Sequence, residues 1–252
     1  MSEQRFDTPG PVRLEVKIPS GDLDVTTIEG GESSVLLEGS QKRIDATRVE
    51  LVGDRLAIGP QRKTLGNRFG RFDGPLRMEV RVPHGSRVQI VSAAGDVTLD
   101  GTFAGLDTQS AAADILVKGE LDGDAHVRSV SGDVRLPRVV GELMAQTVSG
   151  TITADSVGGS VSARSVSGAV RMGSLREGSV NVQSVSGDVE LGIASGTSIK
   201  VDAGSASGRL SSEIPLSATP TDEGGPIIVI HGNTVSGGLR IFRATEAASA
   251  ER

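Results

Sequence analysis

Apolar and polar residues alternate through most of this chain, and the alternation changes phase at regular intervals. In "VNVQSVSGDVEL" (180–191), Val180, Val182 and Ser184 share one phase, while Val189 and Leu191 take the other. Spacings of two define β-strands with one inward face. Ser184 and Val185 cannot both point inward on one straight strand, so the phase break predicts a corner. The same phrase recurs as "RSVSGDVRL" at 128–136, "RSVSGAVRM" at 164–172 and "QSVSGDVEL" at 183–191. Placed in register, its glycine falls at Gly95, Ala113, Gly132, Gly150, Gly168, Gly187, Gly208 and Gly237, with intervals of 18, 19, 18, 18, 19, 21 and 29. A period near 18 or 19 that drifts only at the end is the mark of a stacked repeat.

The columns of the repeat predict what is stacked. Three residues before the glycine stands a hydroxyl: Ser92, Ser110, Ser129, Thr147, Ser165, Ser184, Ser205 and Thr234. Four before that hydroxyl, and two after the glycine, every repeat is apolar, as at Val180 and Val189. These positions are mostly β-branched, as strands prefer, and no segment has the spacing of an amphipathic helix. A third, shorter side carries Phe103, Leu121, Val139, Val157 and Leu175, with Gly101, Gly119, Gly141, Gly158 and Gly173 at the bends. The fold expected is all-β: a single-stranded parallel β-solenoid with three short sides and 18–19 residues per rung. The repeated phrase is then a rung, with its hydroxyls at a corner and its glycines at a crowded backbone position. A multivalent binding ladder is the functional reading of the same columns.

Residues 1–82 do not keep the count. "VRLEVKIP", "DLDVTT", "SVLLEG", "RVELVG" and "RLAIGP" still read as strands, with a hairpin turn near Gly53-Asp54. "LEVKIPSGDLDV" (14–25) echoes "MEVRVPHGSRVQI" (78–90), so the segment is expected to be an N-terminal β cap with irregular rungs. The solenoid proper then runs over 83–242. The long last interval is assigned to a Pro- and Gly-rich loop, "LSATPTDEGGP", and 243–252 to a disordered tail.

These residues also carry a resemblance. "VxxPxG" before a run of "SGDVxL" repeats resembles the bacterial β-strand-repeat proteins grouped as adhesin-like and of unknown function, the toastrack-type domains, over nearly the whole chain from Pro11 to Phe242. The resemblance implies a right-handed β-solenoid, a link to envelope-stress systems and membrane-anchored partners, and no catalytic residues to transfer.

Composition narrows the chemistry. With 26 basic and 32 acidic side chains the net charge is −6, which offers no general attraction to nucleic acid or anionic lipid. There is no Cys, so no disulfide or thiol chemistry. The start, "MSEQRFDTPGPVRLEV", lacks the basic and apolar regions of a secretory signal, and no apolar run approaches the ~20 residues that span a bilayer. The cytoplasm is the expected compartment, without direct membrane insertion.

Candidate sites are few. His84, His126 and His231 stand alone, without metal-ligand spacing. Asp22, Asp96, Asp114, Asp133 and Asp188 follow the repeat glycine, but the calcium-binding form GGxGxDx is absent and Thr151, Ala169 and Arg209 interrupt the column. Paired carboxylates with aromatic platforms, expected of a glycan-acting solenoid, lack Trp and Tyr. "GNRFGRFDG" (66–74) is the exception, placing Arg62, Lys63, Arg68 and Arg71 around Phe69 and Phe72 in a loop suited to an anionic or protein partner, or to covering a solenoid end.

The expected function is a non-catalytic interaction scaffold for a protein partner not named by the sequence, without cofactor or metal. It is a monomer rather than a filament, because the first 82 residues cap one end. The alternatives are a self-assembling structural protein similar to the bactofilins and a solenoid enzyme acting on glycans.

Overall fold

A strand with apolar residues at every second position cannot bury its inward row alone; a second strand stacked on it in register can. The computed structural model describes residues 1–61, 76–214 and 225–244, and this stacking organises both compact units into which the chain divides, Met1–Gly132 and Asp133–Arg252.

In the first unit the strands Arg13–Ile18, Ser86–Ala94, Thr102–Ala112 and Ala125–Ser131 run parallel, and Leu14, Val88, Leu106 and Ala125 form one buried column across them. Leu23, Val97 and Ile115 form the next column on the second side. A rung therefore already exists at 13–28, within the segment expected as cap. It stacks on 87–100, with Leu14 against Val88 and Leu23 against Val97. The echo of 14–25 in 78–90 has a different basis: Val80 lies over Val25, because Arg77–Pro83 pairs with Asp22–Ile28. Arg55–Pro60 pairs in parallel with Arg13–Ile18 and completes this extra layer.

Beyond that layer the direction changes. Thr47–Val52 closes an antiparallel hairpin on Arg55–Pro60, with its turn at Gly53-Asp54. Glu32–Glu38 lies antiparallel between Arg77–Pro83 and Ser2–Asp7. The outer strands carry Glu3, Arg5, Arg48 and Glu50, the charged side chains that discourage further strand addition.

Among the described residues one helix interrupts the β pattern, Gln41–Ala46, which the sequence period did not predict. It is six residues long and is positioned by the buried Arg43, whose Nη2 donates to the Ser20 carbonyl at 2.8 Å and to Ser20 Oγ at 2.9 Å. Burial lowers the pKa of that guanidinium. Among the described residues no helix is long and apolar enough to cross a membrane.

In the second unit all three apolar columns are present. Leu143, Val161 and Val180 line one side, and Val134, Ile152, Val170 and Val189 the second. Val139, Val157, Leu175 and Ile193 line the short third side. Within Ile152–Val157 the inward residues are Ile152, Ala154 and then Val157, so a corner falls at Asp155-Ser156 inside one strand.

The order of the last two rungs departs from the sequence count. Ile227–Thr234 pairs on one edge with Gly178–Ser184 and on the other with Ser198–Ser205. Leu239–Arg243 likewise lies between Val189–Ile193 and Leu210–Ser212. The glycines therefore stack as Gly187, Gly237, Gly208, with the later rung inside the earlier one. Side-chain chemistry accounts for the exchange. The inserted rung brings Ile228, Ile230, Leu239 and Ile241 to buried columns, whereas the displaced one offers Ile199, Val201, Leu210 and Ser212 at the same register positions, less apolar at two of the four, and takes the outer place. The loop expected at 216–226 lies mostly outside the described residues, as does the tail from 245.

Val134→Asp is expected to cost about 3 kcal/mol or more, since it places an unpaired charge in the column beside Ile152. The exposed neighbour Arg135→Ala should stay within about 0.5 kcal/mol. Urea unfolding of both variants checks the inward and outward assignment.

Candidate functional site

The Ser-Val-Ser-Gly corner decides which groups of each rung meet solvent. Its first hydroxyl turns inward. Ser165 Oγ accepts the Gly168 N–H at 2.9 Å and donates to the Gly168 carbonyl at 2.7 Å. Ser184 does the same with Gly187 at 3.0 and 2.9 Å, and Thr234 Oγ1 accepts the Gly237 N–H at 3.0 Å. These hydroxyls satisfy their own corner and do not bond to one another. Ser92, Ser110 and Thr147 occupy the same column, buried and without a hydrogen-bond partner among the described residues.

The second serine faces out and ties its rung to the one before. Ser186 N–H donates to the Val166 carbonyl at 2.9 Å, and Ser236 N–H to the Val185 carbonyl at 2.9 Å. The glycine then passes directly over the preceding rung. A Cβ on Gly187 would stand 1.9 Å from the Gly168 carbonyl oxygen, and one on Gly168 would stand 1.8 Å from that of Gly150. Close approach is thus the reason for this glycine column. The aspartate that follows has a backbone role as well: Asp133 Oδ1 accepts the Thr151 N–H and Asp188 Oδ1 the Gly238 N–H, each at 2.8 Å. Asp22 Oδ1 accepts the Asp96 N–H at 3.2 Å.

With the flanking hydroxyls and glycine so engaged, the valine between the two serines is left pointing outward. In the second unit Val148, Val166, Val185 and Val235 stand on successive rungs at 45, 47, 48 and 53% exposure. Ala206 ends the row. In the first unit Val130 holds the equivalent place and is also exposed, with Ala93 and Ala111 at that position on the two rungs before it. The result in the second unit is an apolar ridge with a rise of ~4.8 Å per rung, bordered by exposed serines on one side and by Gln146, Arg164, Gln183 and Asn233 on the other. Sequence reasoning located this corner but not the ridge. The signal was present in the phase break, which forces Val185 out once Ser184 is in.

The other candidate residues are placed as follows. Arg62, Lys63, Arg68, Phe69, Arg71 and Phe72 lie outside the described residues. His84 Nδ1 sits 2.7 Å from Thr27 Oγ1, which also accepts the Thr102 N–H. His231 Nδ1 lies 3.6 Å from Asp202 Oδ2, and His126 faces solvent. Among the described residues no three His, Asp or Glu side chains group closely enough to hold a metal ion.

Gly187→Ala should cost about 2 kcal/mol or more through overlap with the neighbouring rung. Ser184→Ala should cost about 1–3 kcal/mol by orphaning the Gly187 N–H. Thr147→Val, which removes a buried hydroxyl without a partner, should be neutral or stabilising. Thermal and urea denaturation of the three variants checks this ranking.

Residues 13–226 match the family described as Toastrack DUF4097. No curated protein matches the sequence. Among solved structures, a Parabacteroides distasonis protein described as a candidate lipid-binding protein aligns at 13% identity over 95% of this chain and 96% of its own, with a TM-score of 0.52. A second protein of that organism, described as a candidate adhesin, aligns at 12% identity over 95% and 96% of the two chains, with a TM-score of 0.51. At these identities the likeness concerns the fold, and it agrees with the rungs described above. With the family match spanning most of the rungs, the chain belongs to the Toastrack DUF4097 family.

Proposed function

We propose that this protein is a non-catalytic binding scaffold that presents its valine ridge to a protein partner. The observation that carries the reading is the row Val148, Val166, Val185 and Val235, each about half exposed on consecutive rungs, while the hydroxyls beside Val166, Val185 and Val235 are turned to internal bonds. A contiguous apolar stripe on an otherwise polar surface is a contact surface in waiting. Its straightness suits an extended segment or another flat β face. The repeat residues have structural duties instead: Ser165, Ser184 and Thr234 close their own corners, Asp22, Asp133 and Asp188 accept backbone N–H groups, and the glycines allow close approach. The family resemblance supports placing the scaffold in an envelope-stress or transport-associated system; the cytoplasm is the compartment proposed for it. The basic–aromatic segment containing Arg62, Lys63, Arg68, Phe69, Arg71 and Phe72 is a second contact proposed from composition alone.

The test is a triple substitution, Val148→Thr, Val166→Thr and Val185→Thr, which keeps β-branching while removing apolar surface. A photo-crosslinker at Gln183, beside the ridge, reports the contact in the native cell. The wild-type ridge should yield a defined protein adduct, and the triple variant should reduce it by about tenfold or more at an unchanged thermal midpoint. Arg135→Ala with Arg171→Ala, on the neighbouring face, should leave it intact. An adduct that survives the ridge variant but disappears in the arginine variant would move the contact to that face.

A further inference from the structure

Among the described residues, the rung that ends the second unit is paired on one edge only. Ser198–Ser205 and Leu210–Ser212 are paired along one edge, to Ile227–Thr234 and Leu239–Arg243, and among the described residues their other edge has no strand partner. The apolar columns open to solvent there. Leu210 is 47% exposed, whereas its column neighbours Leu239 and Val189 are 4% and 3% exposed. Ile199, Val201 and Ala203, the inward row of Ser198–Ser205, are only half-buried. The first unit ends differently, on the charged antiparallel strands Ser2–Asp7 and Thr47–Val52.

The bare strand is self-complementary. Turn a second copy of Ser198–Ser205 antiparallel to the first, with the two Val201 residues opposite each other. Ile199 then faces Ala203 of the copy on the core side, which continues the apolar column. On the outer side Lys200 faces Asp202 of the copy, and Asp202 faces Lys200. Directly opposed residues in an antiparallel pair share a face and lie close enough to interact. Both charged side chains are exposed and free to turn toward the new edge, Asp202 from its 3.6 Å approach to His231. A two-fold arrangement of this kind satisfies every opposition twice.

We infer that two copies of this chain associate through Ser198–Ser205, as an antiparallel strand pair centred on Val201 and locked in register by reciprocal Lys200–Asp202 pairs. The assembly stops at two, because the bare parallel edge is used up and the first unit presents charged antiparallel edges instead. The inference is independent of the valine ridge, which runs along the side of the rungs.

Sedimentation velocity on the full chain, between about 1 and 200 µM, tests this directly. The wild type should shift from one to two chains as concentration rises. Lys200→Asp makes every outer opposition acidic and Asp202→Lys makes every one basic, so each variant alone should weaken the dimer about tenfold or more. Mixing the two single variants restores opposite charges across the pair, and a heterodimer should form with wild-type strength. The double variant, Lys200→Asp with Asp202→Lys, should again dimerise with itself. Recovery on mixing also shows that both single variants are folded. A wild type that stays monomeric over the whole range overturns the inference, as does single-variant dimerisation at wild-type strength or a mixture no tighter than its components.

Discussion

Parallel hydrogen bonding holds successive rungs ~4.8 Å apart, and at the corner that spacing leaves no room for a side chain beside the neighbouring backbone. The Gly187 Cα hydrogens face the Gly168 carbonyl where a Cβ would overlap it at 1.9 Å, and the same holds at Gly168 and Gly237. Everything else in the repeat is arranged around this approach. The chain turns sharply, so the N–H of the glycine loses its place in the ladder, and the hydroxyl three residues earlier supplies the missing acceptor. The aspartate one residue later accepts an N–H from the next rung. A short phrase repeats because one steric problem recurs with the same solution.

That solution also determines the outer surface. Once Ser184 is committed inward and Ser186 is held by the Val166 carbonyl, the residue between them has only solvent to face. A small polar residue could stand there at little cost. The chain places valine there on four successive rungs of the second unit, so β-propensity and an exposed apolar row come together. The outward charges on the next face are treated differently, with Arg171 beside Glu190 at 3.3 Å and Arg240 beside Glu213 at 2.6 Å. Exposed pairs of this kind contribute little to stability. Their neutralisation leaves that face without a sustained charge and the valine row as the distinct feature of this side.

The rungs were legible in the sequence because each inward column is read at fixed offsets from one glycine; Val134, Ile152, Val170 and Val189 are all where the count places them. The features it missed depend on contacts distant in sequence. The helix Gln41–Ala46 is too short to show a period, and it is anchored by Arg43 reaching Ser20. The first rung at 13–28 was obscured by the intervening 29–85, although Gly21 and Asp22 already spell the corner. The aspartate column did not carry the calcium-binding form, and the role it has was not visible in the count: Asp22, Asp133 and Asp188 accept backbone N–H groups from the next rung. The exchange of the last two rungs is invisible to counting, since both keep the register; only the competition for burial between Ile230 and Val201, or Ile241 and Ser212, decides it.

That exchange imposes an order on folding. A solenoid built in sequence order can add each rung as it is synthesised, because every new strand finds its neighbour already in place. Here Ser198–Ser205 has its partner in Ile227–Thr234, which leaves the ribosome later. Until then the edge of Gly178–Ser184 stands open, and both segments carry the hydroxyl and glycine that would fit it. The growing chain therefore holds a segment that must not dock on the nearest edge, and the final topology is settled only when the most apolar candidate arrives and takes the inner position. The later segment, Ile227–Arg243, thus acts as a wedge placed after its neighbour, and the rung made before it becomes the outer face.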